Sequence, residues 1–349
     1  MTIQDYFYSL ENKTEEFPTE GNYVSNYKTF KDFMDANIHP EIKTVTSRLD
    51  DEIFLNDHST KHVEMVILKI SQVLEYIGFQ YISGYEYFIL LTAVQIHDAG
   101  HIINGRENHS ETGKKFLEFY NKYSISAIER RIIHKIAAAH SGKHDPIGNL
   151  EALIHISGIK VRPKLLASLL RLGDELADEN SRASKYLLDL GSIPEYSKLF
   201  HVFSRCLDTY RAFPESGTIH MHFYISKQYA TETFKKKKGD SIEEIYLVDE
   251  IYTRSIKAFT ECMYYNRFVP DELRFRTINV DIDFLEDNGD DYYDSISYRI
   301  EEKGYPQIIS NDIFTLVKDQ LVRDGNQLTG KYILSSTYKC NFLGADNKQ

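Results

Sequence analysis

The stretch YEYFILLTAVQIHD, residues 85–98, decides the fold of this chain. Residues 85–96 are apolar nearly all the way round a helical cylinder, which is typical of a central helix that is buried on every side. The polar pair His97-Asp98 stands at the C-terminal end of this helix. A buried carboxylate costs several kcal/mol unless a cation or strong hydrogen-bond donors compensate it, and a divalent metal ion is a natural compensation. The stretch therefore predicts a central helix that ends in a metal site.

Amphipathic helices are predicted on both sides of this stretch. Apolar residues recur at helical spacing over residues 63–77 and 125–136, and a wide apolar stripe covers residues 165–177. Pro163 precedes that stripe and suits the first turn of a helix, where the missing N–H would have no partner in any case. We therefore expect a mainly α domain in which several helices pack around the central one.

Imidazoles and carboxylates lie on these helices or at their ends. A single histidine on an apolar helix is usually structural, but this group is large and contains hard-to-borderline metal ligands. The candidate ligands are His62, His97, Asp98, His109, His140 and Asp174.

Composition limits the classes of function. The chain has 349 residues, of which 42% are hydrophobic, and a formal net charge of -11 with a pI near 5.7. An acidic chain is a poor candidate for coating duplex nucleic acid, which requires clustered Lys and Arg. Cys206, Cys262 and Cys340 lie far apart without CxxC spacing and read as reduced thiols. With no apolar window long enough for a bilayer and no signal sequence, we expect a cytoplasmic protein without a membrane partner.

Three regions follow from the pattern. Residues 1–40 are polar and aromatic with little periodicity and are predicted to be an N-terminal arm with at most one helix, whereas residues 41–195 form the helical domain. Residues 196–349 are predicted to be an α+β region. Its role stays open between a cap on the pocket, an effector site and an interface of a homo-oligomer.

The prediction for the C-terminal region rests on a change of periodicity. Alternation predicts strands over residues 218–225 and 275–282, with a helix over 242–267 between them, and further strands near 295–300 and 332–342. The charged runs 235–238 and 286–294 are predicted to be solvated loops.

The ligand motifs resemble those of the HD-domain metal-dependent phosphohydrolases. The order His, His-Asp, His, His, Asp on successive helices is far more specific than one HD dipeptide, and it spans most of residues 57–178. The flanking residues are similar to HD proteins of the HD-CE type, which carry an appended α+β region. The motifs are KHVEMV, IHDAGH, NHSETG, AAAHSG and LLRLGDELAD.

The resemblance implies a centre with two divalent metal ions. Such a pair, about 3.5–4 Å apart, can clamp a phosphoryl group and activate a bridging water. The ligand types do not choose among Mn, Fe, Co, Ni, Zn and Mg. One metal would be held by His62, His97, Asp98 and Asp174, and the second by Asp98 as a bridge together with His109 and His140.

Residues near the ligands are candidates for catalysis and substrate binding. His101 lies one helical turn after His97, where related enzymes place a lysine or histidine near the phosphate, so we predict that it protonates the leaving oxygen while Asp98 bridges the metals. Salt bridges to nearby carboxylates are the alternative for the cationic candidates. The predicted substrate contacts are His58, Arg106, Lys143 and Arg171.

Three functions are compatible with this sequence. The favoured one is a phosphohydrolase that acts on a nucleotide phosphoester, either as a cyclic nucleotide or dinucleotide phosphodiesterase or as a nucleoside triphosphate hydrolase. An HD nuclease acting on single-stranded nucleic acid, or a non-catalytic nucleotide-binding sensor, are the alternatives. The sequence has no GxxxxGK[ST], HExxH or GxSxG motif that would favour another catalytic class.

Overall fold

The structure is a computed structural model with side chains. It describes residues 1–18, 21–46, 59–104, 109–112, 114–117, 125–142, 144–178, 183–238, 241–286, 291–304 and 310–336.

The N-terminal residues are helical and share the core of the domain. α1 (Ile3–Ser9), α2 (Tyr23–Phe33), a π-helical turn (Met34–Ile38) and α3 (His39–Thr46) follow one another. Phe7 and Tyr27 are fully buried, and α1 and α2 pack on the helices that follow. The predicted arm therefore contains two α-helices, a π-helical turn and the start of α3, which the irregular apolar pattern of residues 1–40 did not reveal.

The central bundle is arranged around the helix that the sequence singled out. Every residue of α5 is buried, as the continuous apolar pattern predicted, and α5 packs against α2 and α9 while α10 packs against α4 and α9. Capping boxes start α5 at Ser83 and α9 at Ser126, and Pro163 occupies the first turn of α10. The elements are α4 (Thr60–Glu75), α5 (Gly84–Ile96), α6 (His101–Asn104), α7 (His109–Thr112), α8 (Lys114–Leu117), α9 (Ala127–Ala138), the hairpin β1 (Ile154–Ile156) and β2 (Ile159–Val161), and α10 (Pro163–Leu176).

The C-terminal region is a four-stranded sheet with helices. The strand order is β3-β4-β7-β8, in which β4 and β7 are parallel and the outer pairs antiparallel, and α14 packs on β7, α10 and α12. The elements are α11 (Lys185–Asp189), α12 (Glu195–Cys206), β3 (Leu207–Phe213), β4 (Thr218–Ser226), α13 (Lys227–Thr231), β5 (Thr233–Lys238), β6 (Ser241–Tyr246), α14 (Leu247–Asn266), β7 (Thr277–Leu285), β8 (Tyr292–Glu301), α15 (Ile313–Val317), β9 (Val322–Arg323) and β10 (Asn326–Gln327).

The predicted fold class, a mainly α helical bundle with a C-terminal α+β region, is confirmed. Several details of the C-terminal prediction are wrong, and residues 292–294 of the predicted loop over 286–294 belong to β8. Residues 242–246 form β6 and 235–238 belong to β5, because Lys235 and Lys236 face Glu244 and Glu243 across an antiparallel pair, where opposite charges stabilise the pairing. Residues 332–336 are helical, and 337–342 lie outside the described residues.

In the part of the chain that the structure describes, no helix combines the length and the apolar character needed to cross a bilayer.

Candidate metal centre

The ends of five helices converge at Asp98. The carboxylate follows α5 directly, and the other predicted ligands come from the ends of neighbouring helices. His62 lies in the first turn of α4, His97 ends α5, His109 begins α7, His140 follows α9, and Asp174 lies in the last turn of α10. The structure thus brings together all six residues that the sequence singled out, and their binding of metal stays a prediction.

One oxygen of Asp98 faces the first group of donors. Its Oδ2 lies 3.4 Å from His62 Nε2 and 3.4 Å from His97 Nε2. Asp174 Oδ1 lies 3.1 Å from His62 Nε2, and the two histidine Nε2 atoms are 3.2 Å apart. Donors held about 2.0–2.2 Å from one cation lie roughly 3.0–3.6 Å from each other at tetrahedral or octahedral angles. The spacing of the His62, His97 and Asp98 donors fits one divalent ion, and Asp174 Oδ1 lies beside them, 3.8 Å from His97 Nε2.

The other oxygen of Asp98 faces a second group. Its Oδ1 lies 3.5 Å from His109 Nε2, 3.6 Å from His140 Nε2 and 3.7 Å from His101 Nε2. His109 and His140 are 3.1 Å apart through their Nε2 atoms, and the His101 ring stacks on His109 with centroids 4.3 Å apart. His101 therefore stands among the donors of the second group. It could act there as a ligand, and its predicted role as a proton donor stays a prediction.

The backbone fixes which nitrogen of two ligands faces the centre. His97 Nδ1 lies 2.7 Å from the carbonyl oxygen of Val94, and His140 Nδ1 lies 2.6 Å from that of Ala137. A carbonyl oxygen only accepts, so each Nδ1 carries a proton and each Nε2 is the nitrogen that faces the centre. Burial, and then the neighbouring His97, lower the pKa of His140 to about 4. The His140 ring is therefore neutral near pH 7, the state that a metal ligand needs.

A glycine on α10 brings Asp174 to the centre. A Cβ atom at Gly173 would lie 2.6 Å from Ile70 Cγ1 and 3.2 Å from the Val66 carbonyl oxygen on α4. Only glycine permits this close approach of the two helices. Burial raises the pKa of Asp174, but the neighbouring His62 and His97 lower it more, and the net shift is downward. The carboxylate is consequently ionised beside the first donor group.

The C-terminal region completes a cavity of about 380 Å³ over the centre. Its far wall contains Phe203, Tyr210 and Met221, together with the cations Arg254 and Lys257 of α14. No sequence motif marked these residues. The i, i+3 spacing of the two cations places them on one face of a helix, but the contact of that face with the metal centre depends on tertiary packing.

Carboxylates beside the centre hold both cations. Arg254 donates from Nη1 to Asp178 at 3.1 Å and from Nε to Glu250 at 3.1 Å, and its guanidinium lies 4.3 Å from the centroid of the Phe203 ring. Lys257 donates to Glu175 at 2.7 Å. The two cations are thus aimed by partners on their own helix and in the segment around the end of α10.

The predicted substrate contacts have different outcomes. Arg171 donates from Nε and Nη2 to Glu261 at 2.6 and 2.8 Å, which is the salt-bridge alternative, and its role as a phosphate contact stays a prediction. His58, Arg106 and Lys143 lie outside the described residues.

Comparison with known proteins gives one family. The family model named HD-CE matches residues 47–233, which is more than half of the chain and extends past residue 195 into the sheet region. No curated protein matches the chain, and no solved structure does. The family match and the His/Asp cluster together indicate an HD-type metal-dependent hydrolase. Because the family model matches more than half of its residues, the chain belongs to the HD-CE family.

Proposed function

We propose that this protein is a divalent-metal-dependent phosphohydrolase that cleaves a phosphoester of a nucleotide. The observation that carries the proposal is the position of Asp98, whose two oxygens face two separate groups of nitrogen and oxygen donors. When bound, two divalent ions would supply Lewis acidity for the phosphoryl group and lower the pKa of a water molecule to make a nucleophile. A protein nucleophile is then unnecessary.

The residues of the chain have distinct tasks in this proposal. Asp98 orients the two donor groups relative to each other, and His97 and His140 present Nε2 to the centre because backbone carbonyls accept hydrogen bonds from their Nδ1 atoms. Arg254 and Lys257 face the cavity and would bind phosphate oxygens. His101 would hold the proton that the leaving oxygen takes up.

The charge of the cavity supports a phosphate-bearing substrate. Four carboxylates line it against two cationic side chains, so that with neutral histidines its net charge is negative. Two divalent ions would reverse that sign, and an anionic phosphoester would then be attracted to the loaded centre. The carboxylates are Asp98, Asp174, Glu175 and Asp178.

The wall opposite the centre supports a nucleotide. Phe203 and Tyr210 are almost fully buried in it, and Met221 adds a polarisable thioether. Such a surface can contact a base while the phosphate lies over the metal ions. A volume of about 380 Å³ lies at the lower end of the range of small-molecule sites, which favours a small nucleotide over an oligonucleotide.

A hydrolysis screen tests the proposal. Manganese-loaded protein is incubated with linear, cyclic and dinucleotide substrates and with a labelled single-stranded oligonucleotide, and the products are identified. We expect turnover of at least one small nucleotide and its loss in Asp98→Asn. Asp208→Asn makes the same change on an exposed strand position and is the control. Cleavage of the oligonucleotide alone would favour the nuclease, and binding without turnover across the panel would favour the sensor.

Lys257→Gln tests the phosphate contact on α14. We expect KM to rise about tenfold, equivalent to about 1.4 kcal/mol of binding free energy, with a smaller change in kcat. Lys198→Gln is the matched control, because Lys198 also forms an ion pair with a glutamate but does not line this cavity. An unchanged KM for Lys257→Gln would remove this residue from the substrate site.

A further inference from the structure

The C-terminal region contains a second cavity, of about 620 Å³, that has no part in the metal centre. Phe259, Met263 and Leu316 form its apolar floor, and Arg274, Arg276 and Lys303 are among the cations at its rim. We propose that this cavity binds a small nucleotide-like anion, with its phosphates on the arginines and its ring on the apolar floor.

The floor is suited to a planar ring. Phe259 and Leu316 are buried at the base of the cavity, and Met263 is partly buried beside them on the same helix as Phe259. An aromatic ring offers a flat contact for a base, and a thioether adapts to its edge. An aromatic ligand would therefore cover the exposed part of Met263 while it contacts the Phe259 and Leu316 side chains that line the cavity.

The two arginines at the rim are short of acceptors. Arg274 Nη1 lies 2.5 Å from Asp271 Oδ1, and Arg276 Nη2 lies 3.9 Å from the same oxygen. The two guanidiniums thus share one carboxylate, whose side chain is 74% exposed and screened by water. Arg274 Nε is buried and has no acceptor among the described residues. A buried donor without an acceptor is unfavourable, and a hydrogen bond to a phosphate oxygen would satisfy it.

The charge balance of the rim favours an anion. Four cations line the cavity against two carboxylates, in a chain whose net charge is -11. Of the two carboxylates, Glu301 binds Arg299 at 2.5 Å, so its charge is compensated by a side chain outside the lining. Arg267 is bound by Asp145 and Arg274 by Asp271, so Arg276 and Lys303 are the lining cations whose charges are least compensated by the carboxylates of the described residues. Guanidinium groups bind phosphate through parallel hydrogen bonds, and this favours phosphate among anions.

The second cavity is separated from the metal centre by α14. Lys257 faces the metal-centre cavity and Glu261 binds Arg171 of α10, whereas Phe259 and Met263 line the second cavity. At 100° per residue, Phe259 and Met263 lie about 160° round the helix from Lys257 and Glu261. A ligand in the second cavity therefore has no contact with the predicted metal ligands.

Binding of ATP to metal-free protein tests the proposal. Isothermal titration is performed in a chelator with the Asp98→Asn variant, so that the metal centre cannot take part. We expect ATP to bind, inorganic pyrophosphate to bind more weakly because it lacks a ring, and Arg274→Gln/Arg276→Gln to lower the ATP affinity at least tenfold. Arg211→Gln removes an arginine from an exposed strand position outside both cavities and should change nothing.

Several results would overturn the proposal. The first is that ATP does not bind to Asp98→Asn in the presence of chelator. The second is that Arg274→Gln/Arg276→Gln leaves the ATP affinity unchanged, and the third is that pyrophosphate binds as tightly as ATP. The single variant Arg276→Gln is the control for a folding defect, because the Arg276 side chain is 59% exposed. The melting temperature of this variant should equal that of the parent, while its affinity for ATP falls. The readout is equilibrium binding without metal, so failure of the proposed hydrolase activity would leave this result unaffected.

Discussion

Three substitutions should separate the two predicted metal sites. Asp98 contributes one oxygen to each donor group, whereas Asp174 approaches only the first and His109 only the second. We therefore expect about two bound manganese ions per wild-type chain, about one in Asp174→Asn, about one in His109→Ala and none in Asp98→Asn. The asymmetry follows from the bridging position of a single carboxylate.

The rise in melting temperature on addition of manganese should follow the same order as the number of bound ions. A metal ion present at 100 times its dissociation constant stabilises the folded state by about 2.7 kcal/mol. For 349 residues at about 2.1 cal/mol/K of unfolding entropy per residue, this corresponds to roughly 4 °C per site. Addition of manganese should raise Tm by roughly 7 °C in wild type, about half as much in the two single-site variants, and hardly at all in Asp98→Asn.

Metal content measured by mass spectrometry at fixed free manganese, together with calorimetry on the same samples, provides the assay. Asp208→Asn is the control for loss of a carboxylate and should behave as wild type. If Asp98→Asn retains one ion, or if Asp174→Asn and His109→Ala each lose both, the bridging arrangement is refuted.

Three further results are expected. Glu129→Gln should lower the free energy of unfolding by about 1.5–3 kcal/mol, measured by urea denaturation. The buried carboxylate accepts hydrogen bonds from the hydroxyls of Tyr23 and Tyr85 and from the backbone N–H of Ser126, and an amide cannot accept all three. Burial raises the pKa of the Cys206 thiol to about 12 and that of Cys262 well above its usual value, so peptide mapping after iodoacetamide treatment should find both unmodified in native protein. Partial burial raises the pKa of Asp281, but hydrogen bonds from a serine hydroxyl and from His220 lower it more. The ionised carboxylate should therefore stabilise the fold fully above about pH 4, and this stabilisation should be lost as the pH falls further. The difference in free energy of unfolding between wild type and Asp281→Asn should accordingly become smaller below about pH 4.

The parts of the fold that the sequence predicted are those with local causes. The helix over 84–96 follows from an apolar run that is too continuous for a surface helix. Ser83, Ser126 and Pro163 begin helices through interactions or backbone preferences that lie within the first turn. The ligand residues could be found for the same reason, since each stands at the end of a helix that its own neighbours define. The hairpin of β5 and β6 was missed because its stabilising Lys-Glu pairs lie on two strands.

The walls of the metal-centre cavity could not be predicted, because contacts between distant segments create them. Arg254 lies 76 residues after Asp178, and Lys257 lies 82 residues after Glu175. Nothing in the sequence around either cation distinguishes it from a surface charge. The stacking of His101 on His109 has a similar origin, since the two residues lie on separate helices, α6 and α7.

The position of α14 gives the C-terminal region a physical role beyond that of a cap. This helix holds Lys257 over the metal centre and, on its other side, Phe259 against the second cavity. Both cavities use side chains within one turn of each other on α14, so a ligand that shifts α14 relative to α10 would change the distance from Lys257 to Glu175. Thermodynamic linkage makes such coupling reciprocal: under the two proposals, any factor by which ATP in the second cavity changes substrate affinity equals the factor by which substrate changes the affinity for ATP.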